Sequence, residues 1–176
     1  VSRNWTYLNV TVTEANEINI TFNIFNSTGL YNSTTFTNGA RNINFTNLID
    51  GNYTVNVTVT DIIYRTNTTI TRRINIDTIN PLIGYDANSI NDGVNLSYSN
   101  IYVNVSVTEL NLANITFQLY NSTGLVNITI FTNGQRNINW TGLADGSYTY
   151  NVSVRDYANN ANTTLSRNAK IDTLFP

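Results

Sequence analysis

The sequence predicts an all-β protein built from two tandem copies of one small β-sandwich. Three observations carry that expectation. Apolar and polar residues alternate over several runs, and no stretch keeps the 3.6-residue period of a helix. Sliding the chain on itself by 95 residues aligns it without a gap, and residues 1–81 are identical to residues 96–176 at 45 of 81 positions. Gly, Asn and Asp fall between the alternating runs, where turns are needed.

The elements follow in order. Tyr7–Thr13 alternates strictly, with Leu8, Val10 and Val12 on one face. Ile18–Ile24 does the same. Asn26-Ser27-Thr28-Gly29-Leu30 is a loop signal and returns as Asn121-Ser122-Thr123-Gly124-Leu125. Asn38-Gly39 and Asn133-Gly134 predict tight hairpins, because Asn and Gly tolerate positive φ. Asp50-Gly51 and Asp145-Gly146 mark a further turn before the alternating run Tyr53–Thr60 and its copy. Ile76-Asp77-Thr78-Ile79-Asn80-Pro81 closes the first copy and returns as Ile171-Asp172-Thr173-Leu174-Phe175-Pro176. Six or seven short strands in one such copy is the arithmetic of an immunoglobulin-like sandwich. The predicted domains are therefore residues 1–81 and residues 82–176.

The first copy begins at Val1 in phase with Leu96, so it has no counterpart of Leu82–Asn95 and lacks an initial strand. Both ends read as cuts through a longer array. A strand from upstream, or from a neighbouring chain, would complete the first sandwich, and upstream continuity is the simpler source.

Composition narrows the function. Asn supplies 33 residues and Thr 27, whereas charged residues are 11% and hydrophobic residues 41%. That hydrophobic share with a net charge of −2 argues against disorder and gives no basic footprint for nucleic acid. The absence of His and Cys removes the usual zinc sites, thiol chemistry, disulfides and His-based triads. No apolar run approaches the ~18 residues of a membrane-spanning helix, and no signal peptide is present. With no Met, Val1 is not a translation start, so the chain is processed or interior to a longer one. The few carboxylates repeat in both copies and sit at strand ends rather than as a pair across a cleft, so no enzyme is expected.

Leu143-Ala144-Asp145-Gly146-Ser147-Tyr148, followed by alternating Tyr150, Val152 and Val154, resembles a tyrosine corner, and Leu48–Tyr53 repeats it. To this are added Asp-Thr-x-x-Pro at 77–81, a strand ending in Thr108-Glu109, and Asp156-Tyr157-Ala158-Asn159-Asn160-Ala161. Together these resemble the Ig-like repeats, of fibronectin III or cadherin-like type, of large prokaryotic cell-surface glycoproteins. The Asn/Thr-rich style is most similar to archaeal ones. The resemblance implies an extracellular, cell-surface location and end-to-end arrays that self-associate into a stalk, filament or S-layer element. An adhesin or carbohydrate-binding module is the alternative.

The sequon Asn-x-Ser/Thr occurs seventeen times, at Asn4, Asn9, Asn19, Asn26, Asn32, Asn44, Asn52, Asn56, Asn67, Asn95, Asn104, Asn114, Asn121, Asn127, Asn139, Asn151 and Asn162. Seven of them recur at the 95-residue offset. One reading is covalent N-glycans on a secreted protein. The other is that positions i and i+2 share the solvent face of a strand, so a face built from Asn and Thr writes the sequon by itself. Asn26, Asn32, Asn121 and Asn127 flank predicted loops and are the better acceptors.

Glu14 recurs as Glu109, Asp61 as Asp156, Asp77 as Asp172 and Asp50 as Asp145. In an Ig-like topology the strands ending at Glu109 and Asp156 finish at one pole, where the chain carrying Asp77 enters. Asp77, Glu109 and Asp156, with Asn80 and Asn111, would suit Ca²⁺, which takes six to eight oxygens. No other cofactor is expected. The plain alternative is that these acids start turns, begin a linker or cap a strand end. Asp50 and Asp145 read as turn residues with no site implied.

Trp140 aligns with Phe45 and Tyr150 with Val55, which marks both as core positions. Trp5, Tyr64, Tyr85 and Tyr98 are the candidate surface aromatics for a sugar-binding face.

Overall fold

The computed structural model describes residues 1–174. The chain divides into two compact units, Val1–Thr78 and Ile79–Pro176. The 95-residue offset draws its line after Pro81, so residues 79–81 belong to the second unit. Phe175 and Pro176, the counterparts of Asn80 and Pro81, lie outside the described residues.

Repeat 1 holds β1 (Thr6–Asn9), β2 (Glu17–Asn26), β3 (Gly29–Phe36), β4 (Asn42–Phe45), β5 (Gly51–Asp61), β6 (Thr66–Thr68) and β7 (Arg72–Ile76). β1 pairs antiparallel with β4 to make one sheet. In the other, β3 pairs with β2, β2 with β5, and both β6 and β7 lie along β5. The alternation read from sequence sets the faces. Ile20, Phe22 and Ile24 of β2 and Tyr53, Val55 and Val57 of β5 are buried between the sheets with Phe45 and Ile76. Phe36 meets Phe22 edge-to-face, ring centroids 5.9 Å apart.

Repeat 2 holds β8 (Leu82–Tyr85), β9 (Val94–Leu96), β10 (Ile101–Thr108), β11 (Leu112–Asn121), β12 (Gly124–Phe131), β13 (Asn137–Trp140), β14 (Gly146–Asp156), β15 (Ala161–Thr163) and β16 (Arg167–Ile171). One sheet runs β13-β10-β8. The other runs β12-β11-β14-β16-β9, with β15 beside β14. The opening segment therefore serves both sheets, with β8 antiparallel to β10 and β9 parallel to β16. Fifteen buried apolar residues, among them Phe117, Trp140 and Tyr150, form the core.

Each repeat is thus an immunoglobulin-like sandwich, and the first lacks its initial strand. Among the described residues of repeat 1 no strand takes the place of β8, and Val10–Thr13, equivalent to the second half of β10, are not in a strand. Val105 and Val107 are 2% and 6% exposed, whereas Val10 and Val12 are only half-buried.

Both tyrosine corners form. The Tyr53 hydroxyl donates to the Ile49 carbonyl and that of Tyr148 to the Ala144 carbonyl, each at 2.9 Å. The hairpins expected at Asn38-Gly39 and Asn133-Gly134 do not. β3 pairs with β2 and β4 with β1, so this loop carries the chain from one sheet to the other. The residues keep their turn chemistry: Gly39 has φ 76°, and Asn38 Oδ1 accepts the Ala40 amide at 3.2 Å. The two-residue hairpin lies instead at Ser27-Thr28, between paired Asn26 and Gly29. No helix occurs among the described residues, so none is long and apolar enough to cross a membrane.

Candidate functional site

Glu109 and Asp156 share one pole of repeat 2 and Glu14 and Asp61 the matching pole of repeat 1, whereas Asp50 and Asp145 lie at the other end of their strands, beside the ends of β7 and β16. In repeat 2, Glu109 follows the last residue of β10, and Asp156 ends β14 in register with Leu112. Glu109 Oε1 accepts the Asn111 amide at 2.7 Å. The Asn111 carbonyl accepts the Tyr157 amide at 2.9 Å, which stitches the two turns together. The Asp156 carboxylate, 1% exposed, accepts the Asn160 amide through Oδ1 at 2.9 Å and Asn160 Nδ2 through Oδ2 at 2.7 Å. Those donors are neutral, and among the described residues no ion pair reaches Asp156.

The chain enters repeat 2 at this same pole. Leu82, the first residue of β8, pairs with Thr108, which precedes Glu109. The Pro81 carbonyl accepts Asn162 Nδ2 at 3.1 Å.

Repeat 1 solves the same pole differently. Glu14 Oε1 accepts the Asn16 amide at 2.9 Å, as Glu109 does with Asn111. Arg65 stands where repeat 2 has Asn160, and its Nε donates to Asp61 Oδ2 at 2.7 Å. Asp61 Oδ1 also accepts the amides of Ile63 and Arg65. Burial alone would raise the Asp61 pKa, but the hydrogen bonds and charge of Arg65 outweigh it and hold the carboxyl below its usual value. Glu17, in register with Asp61, pairs with Arg41 at 2.9 Å; its counterpart in repeat 2 is Leu112. The first pole therefore carries its own cations and the second carries neutral donors.

Asp77 follows β7 and is buried, and its amide donates to the Val1 carbonyl at 3.0 Å. Thr78 beside it is clamped by Asp50, whose Oδ2 accepts the Thr78 amide at 3.0 Å and whose Oδ1 accepts the hydroxyl at 2.9 Å. Asp145 holds Thr173 through Oδ1, which accepts the amide at 3.1 Å and the hydroxyl at 2.9 Å. The sequence shows both acids as turn residues only. Their constant spacing to the following Asp-Thr was the signal that could have exposed the clamp.

Of the sequon asparagines, Asn4, Asn9, Asn32, Asn44, Asn52, Asn67, Asn95, Asn127, Asn139 and Asn162 are exposed. Asn19, Asn26, Asn56, Asn104, Asn114, Asn121 and Asn151 are half-buried. Several carry structural bonds. Asn26 Oδ1 accepts the amide and hydroxyl of Thr28, and Asn121 does the same for Thr123. Asn127 Oδ1 accepts Trp140 Nε1 at 3.1 Å. These bonds use the oxygen, and a glycan is attached through Nδ2. At Asn162 the nitrogen itself is engaged by Pro81. Asn151 Oδ1 is buried without a partner among the described residues.

The aromatic expectations divide. Tyr64 is 80% exposed, Tyr98 is exposed, and Trp5 is half-buried with the Arg3 guanidinium 3.9 Å from its ring centroid. Trp140 lies in the core as its alignment with Phe45 indicated. Tyr85 is not a surface platform. It packs edge-to-face on Tyr150 at 5.9 Å, donates to the carbonyls of Tyr150 and Leu165, and lies under Arg167, 4.0 Å from its ring centroid. Its position on β8 turns the ring inward, which sequence alone left open because repeat 1 has no aligned residue.

No protein-family model and no curated protein matches the chain. Among solved structures it is similar to the fibronectin(III)-like modules of CbhA from Clostridium thermocellum, at TM-score 0.51 and 13% identity, over 97% of this chain and 85% of that one. A two-domain fibronectin type-III segment of chicken tenascin overlaps 96% of this chain and 93% of its own at TM-score 0.44 and 11% identity. The CbhA likeness places the fold with the fibronectin III and immunoglobulin-like sandwiches.

Proposed function

We propose that the chain is a structural element of an extracellular surface protein, in which Ig-like sandwiches are strung in series as part of a stalk, filament or surface layer. The supporting observation is that two units with separate apolar cores repeat one design, including its terminal Asp-Thr clamp. Outward strand positions are filled by Asn and Thr rather than by Lys and Glu, which suits a surface bearing N-glycans. Glycans on the ten exposed acceptors would also guard sheet edges against pairing with other chains.

A calcium ion would stiffen the joint between repeats, held by Asp77, Glu109 and Asp156. What supports this is the uncompensated, buried Asp156 carboxylate beside Glu109, at the pole where the chain enters repeat 2. Asp77 precedes Pro81 by four residues, a reach of at most ~14 Å. Arg65 makes the pole of repeat 1 a poor second site, because its guanidinium already occupies the Asp61 carboxylate. The sugar-binding alternative loses Tyr85 to the core.

Two measurements test this reading. The mass of the native protein before and after chemical deglycosylation should fall by many glycan units, and an unchanged mass defeats the glycoprotein part. Millimolar calcium should raise the melting temperature of the wild type and leave Glu109→Gln unchanged; no shift in the wild type removes the calcium joint.

A further inference from the structure

We propose that the two sheet-crossing loops, at Asn38-Gly39 and Asn133-Gly134, are sites of spontaneous covalent modification, in which the asparagine is converted through a cyclic imide to aspartate and isoaspartate. This goes beyond the structural-module reading and depends on neither calcium nor glycans. Neither asparagine lies in a sequon, because Ala40 and Gln135 stand at the third position.

The reaction needs a nucleophile, an electrophile and water. The nucleophile is the backbone nitrogen of the next residue, which must be free of hydrogen bonds and unshielded by a side chain. Gly39 and Gly134 meet both conditions. Their amides donate to no group among the described residues, and a Cβ placed at either glycine would meet nothing within 4 Å. The electrophile is the asparagine Cγ. Asn38 Oδ1 accepts the Ala40 amide at 3.2 Å, and Asn133 Oδ1 accepts the Gln135 amide at 3.1 Å. This turn folds the side chain back along its own backbone, towards the glycine nitrogen it must meet. Its donor also faces the oxygen on which negative charge develops during attack. Asn38, Gly39, Asn133 and Gly134 are all exposed, so water has access.

The step balances without any oxidant or cofactor. The glycine nitrogen loses its proton and bonds to Cγ, the Cγ–Nδ2 bond breaks, and ammonia leaves with that proton, closing a five-membered imide. Water then opens the ring. Attack at Cγ yields aspartate, and attack at the backbone carbonyl yields isoaspartate, with the chain running through Cγ. Each conversion adds one negative charge to a net charge of −2. Isoaspartate also lengthens by one bond a loop that carries the chain from one sheet to the other.

The other acid-glycine and asparagine-serine pairs are held out of reaction. Asp92 Oδ1 accepts the Asn168 amide at 2.7 Å, and the Gly93 amide donates to the Asn168 carbonyl at 2.7 Å. Asp50 and Asp145 are clamped to Thr78 and Thr173, and Gly51 and Gly146 sit in paired strands. Asn26 and Asn121 hold Thr28 and Thr123, and each precedes a serine whose side chain shields its nitrogen.

The test incubates the 1–176 chain at one mildly alkaline pH, folded in buffer and unfolded in guanidinium chloride, and follows each asparagine by peptide mass spectrometry. Asn38 and Asn133 should convert at least as fast in the folded chain as in the unfolded one, and ahead of Asn26 and Asn121. Ala40→Pro removes the amide that faces Asn38 Oδ1. It should slow Asn38 by about tenfold in the folded chain, with Asn133 in the same molecule as the reference. Slower conversion in the folded chain than in the unfolded one overturns the proposal. So does an Asn38 rate that Ala40→Pro leaves unchanged, or conversion of Asn26 or Asn121 as fast as that of Asn38 and Asn133. Because Ala40→Pro could perturb the loop, the folded-against-unfolded comparison stands as the test that leaves the protein untouched.

Discussion

Asp50 accepts two hydrogen bonds from Thr78, at 3.0 Å from the amide and 2.9 Å from the hydroxyl, across 28 residues of chain. The bond closes the end of repeat 1 just after Asp77. Asp50→Ala removes both acceptors and should destabilise repeat 1 by about 1 kcal/mol. Thr78→Val keeps the amide bond and should cost less. Urea unfolding, with Asp145→Ala as the matching change in repeat 2, measures both.

Arg65 and Asp61 predict an acid response confined to repeat 1. The Asp61 pKa is depressed in the folded protein, so its contribution is present above the unfolded value of ~3.9 and is lost as pH falls through the folded value. Arg65→Met should lower the melting temperature by a few degrees at most at pH 7, and the difference should shrink as pH falls below ~3.9. A difference that stays constant into acid would assign the effect to packing of the arginine stem instead.

Asn127 and its counterpart Asn32 separate sugar from structure. Both are exposed sequon acceptors, but Asn127 Oδ1 satisfies buried Trp140 Nε1, whereas Asn32 has Phe45 at the corresponding place. In protein made without glycosylation, Asn127→Ala should cost about 1–3 kcal/mol by leaving the indole nitrogen unpaired. Asn32→Ala should stay within about 0.5 kcal/mol. Equal losses would contradict the bond.

Tyr150 predicts alkaline behaviour. Burial, with a further push from neighbouring Tyr85, moves its pKa up to about 12, against the partial pull of Arg167. Stability from this group is complete below the unfolded value of ~10 and is lost as pH rises towards 12. Tyr150→Phe loses the hydroxyl bond to the Ile90 carbonyl at 2.6 Å, so it should be less stable at pH 7 by about 1 kcal/mol. The gap should narrow between pH 10 and 12, followed by absorbance at 295 nm and thermal melts.

The strands were legible because alternation is written in the residues themselves: Ile20, Phe22 and Ile24 can share a face only if they are extended. The tyrosine corners were legible because a Tyr two residues after Asp-Gly has one useful direction. Pairing was less so. Asn38-Gly39 has the composition of a hairpin and serves a sheet-crossing loop, because loop residues encode backbone angles and not the partner of the next strand. The division of labour at the poles was hidden for a different reason. Arg65 and Asn160 align as an ordinary surface difference, and only their contacts with Asp61 and Asp156 show that one pole is neutralised from within.

The parallel contact of β9 with β16 bears on how each sandwich resists pulling. Tension applied through the two ends of repeat 2 slides these strands along each other, so the bonds linking Val94–Leu96 to Ala169–Ile171 are loaded together and must rupture as a group. In repeat 1 Val1 stands where Leu96 does, and it takes the same side of β7: its carbonyl accepts the Asp77 amide and its nitrogen donates to the Asn75 carbonyl.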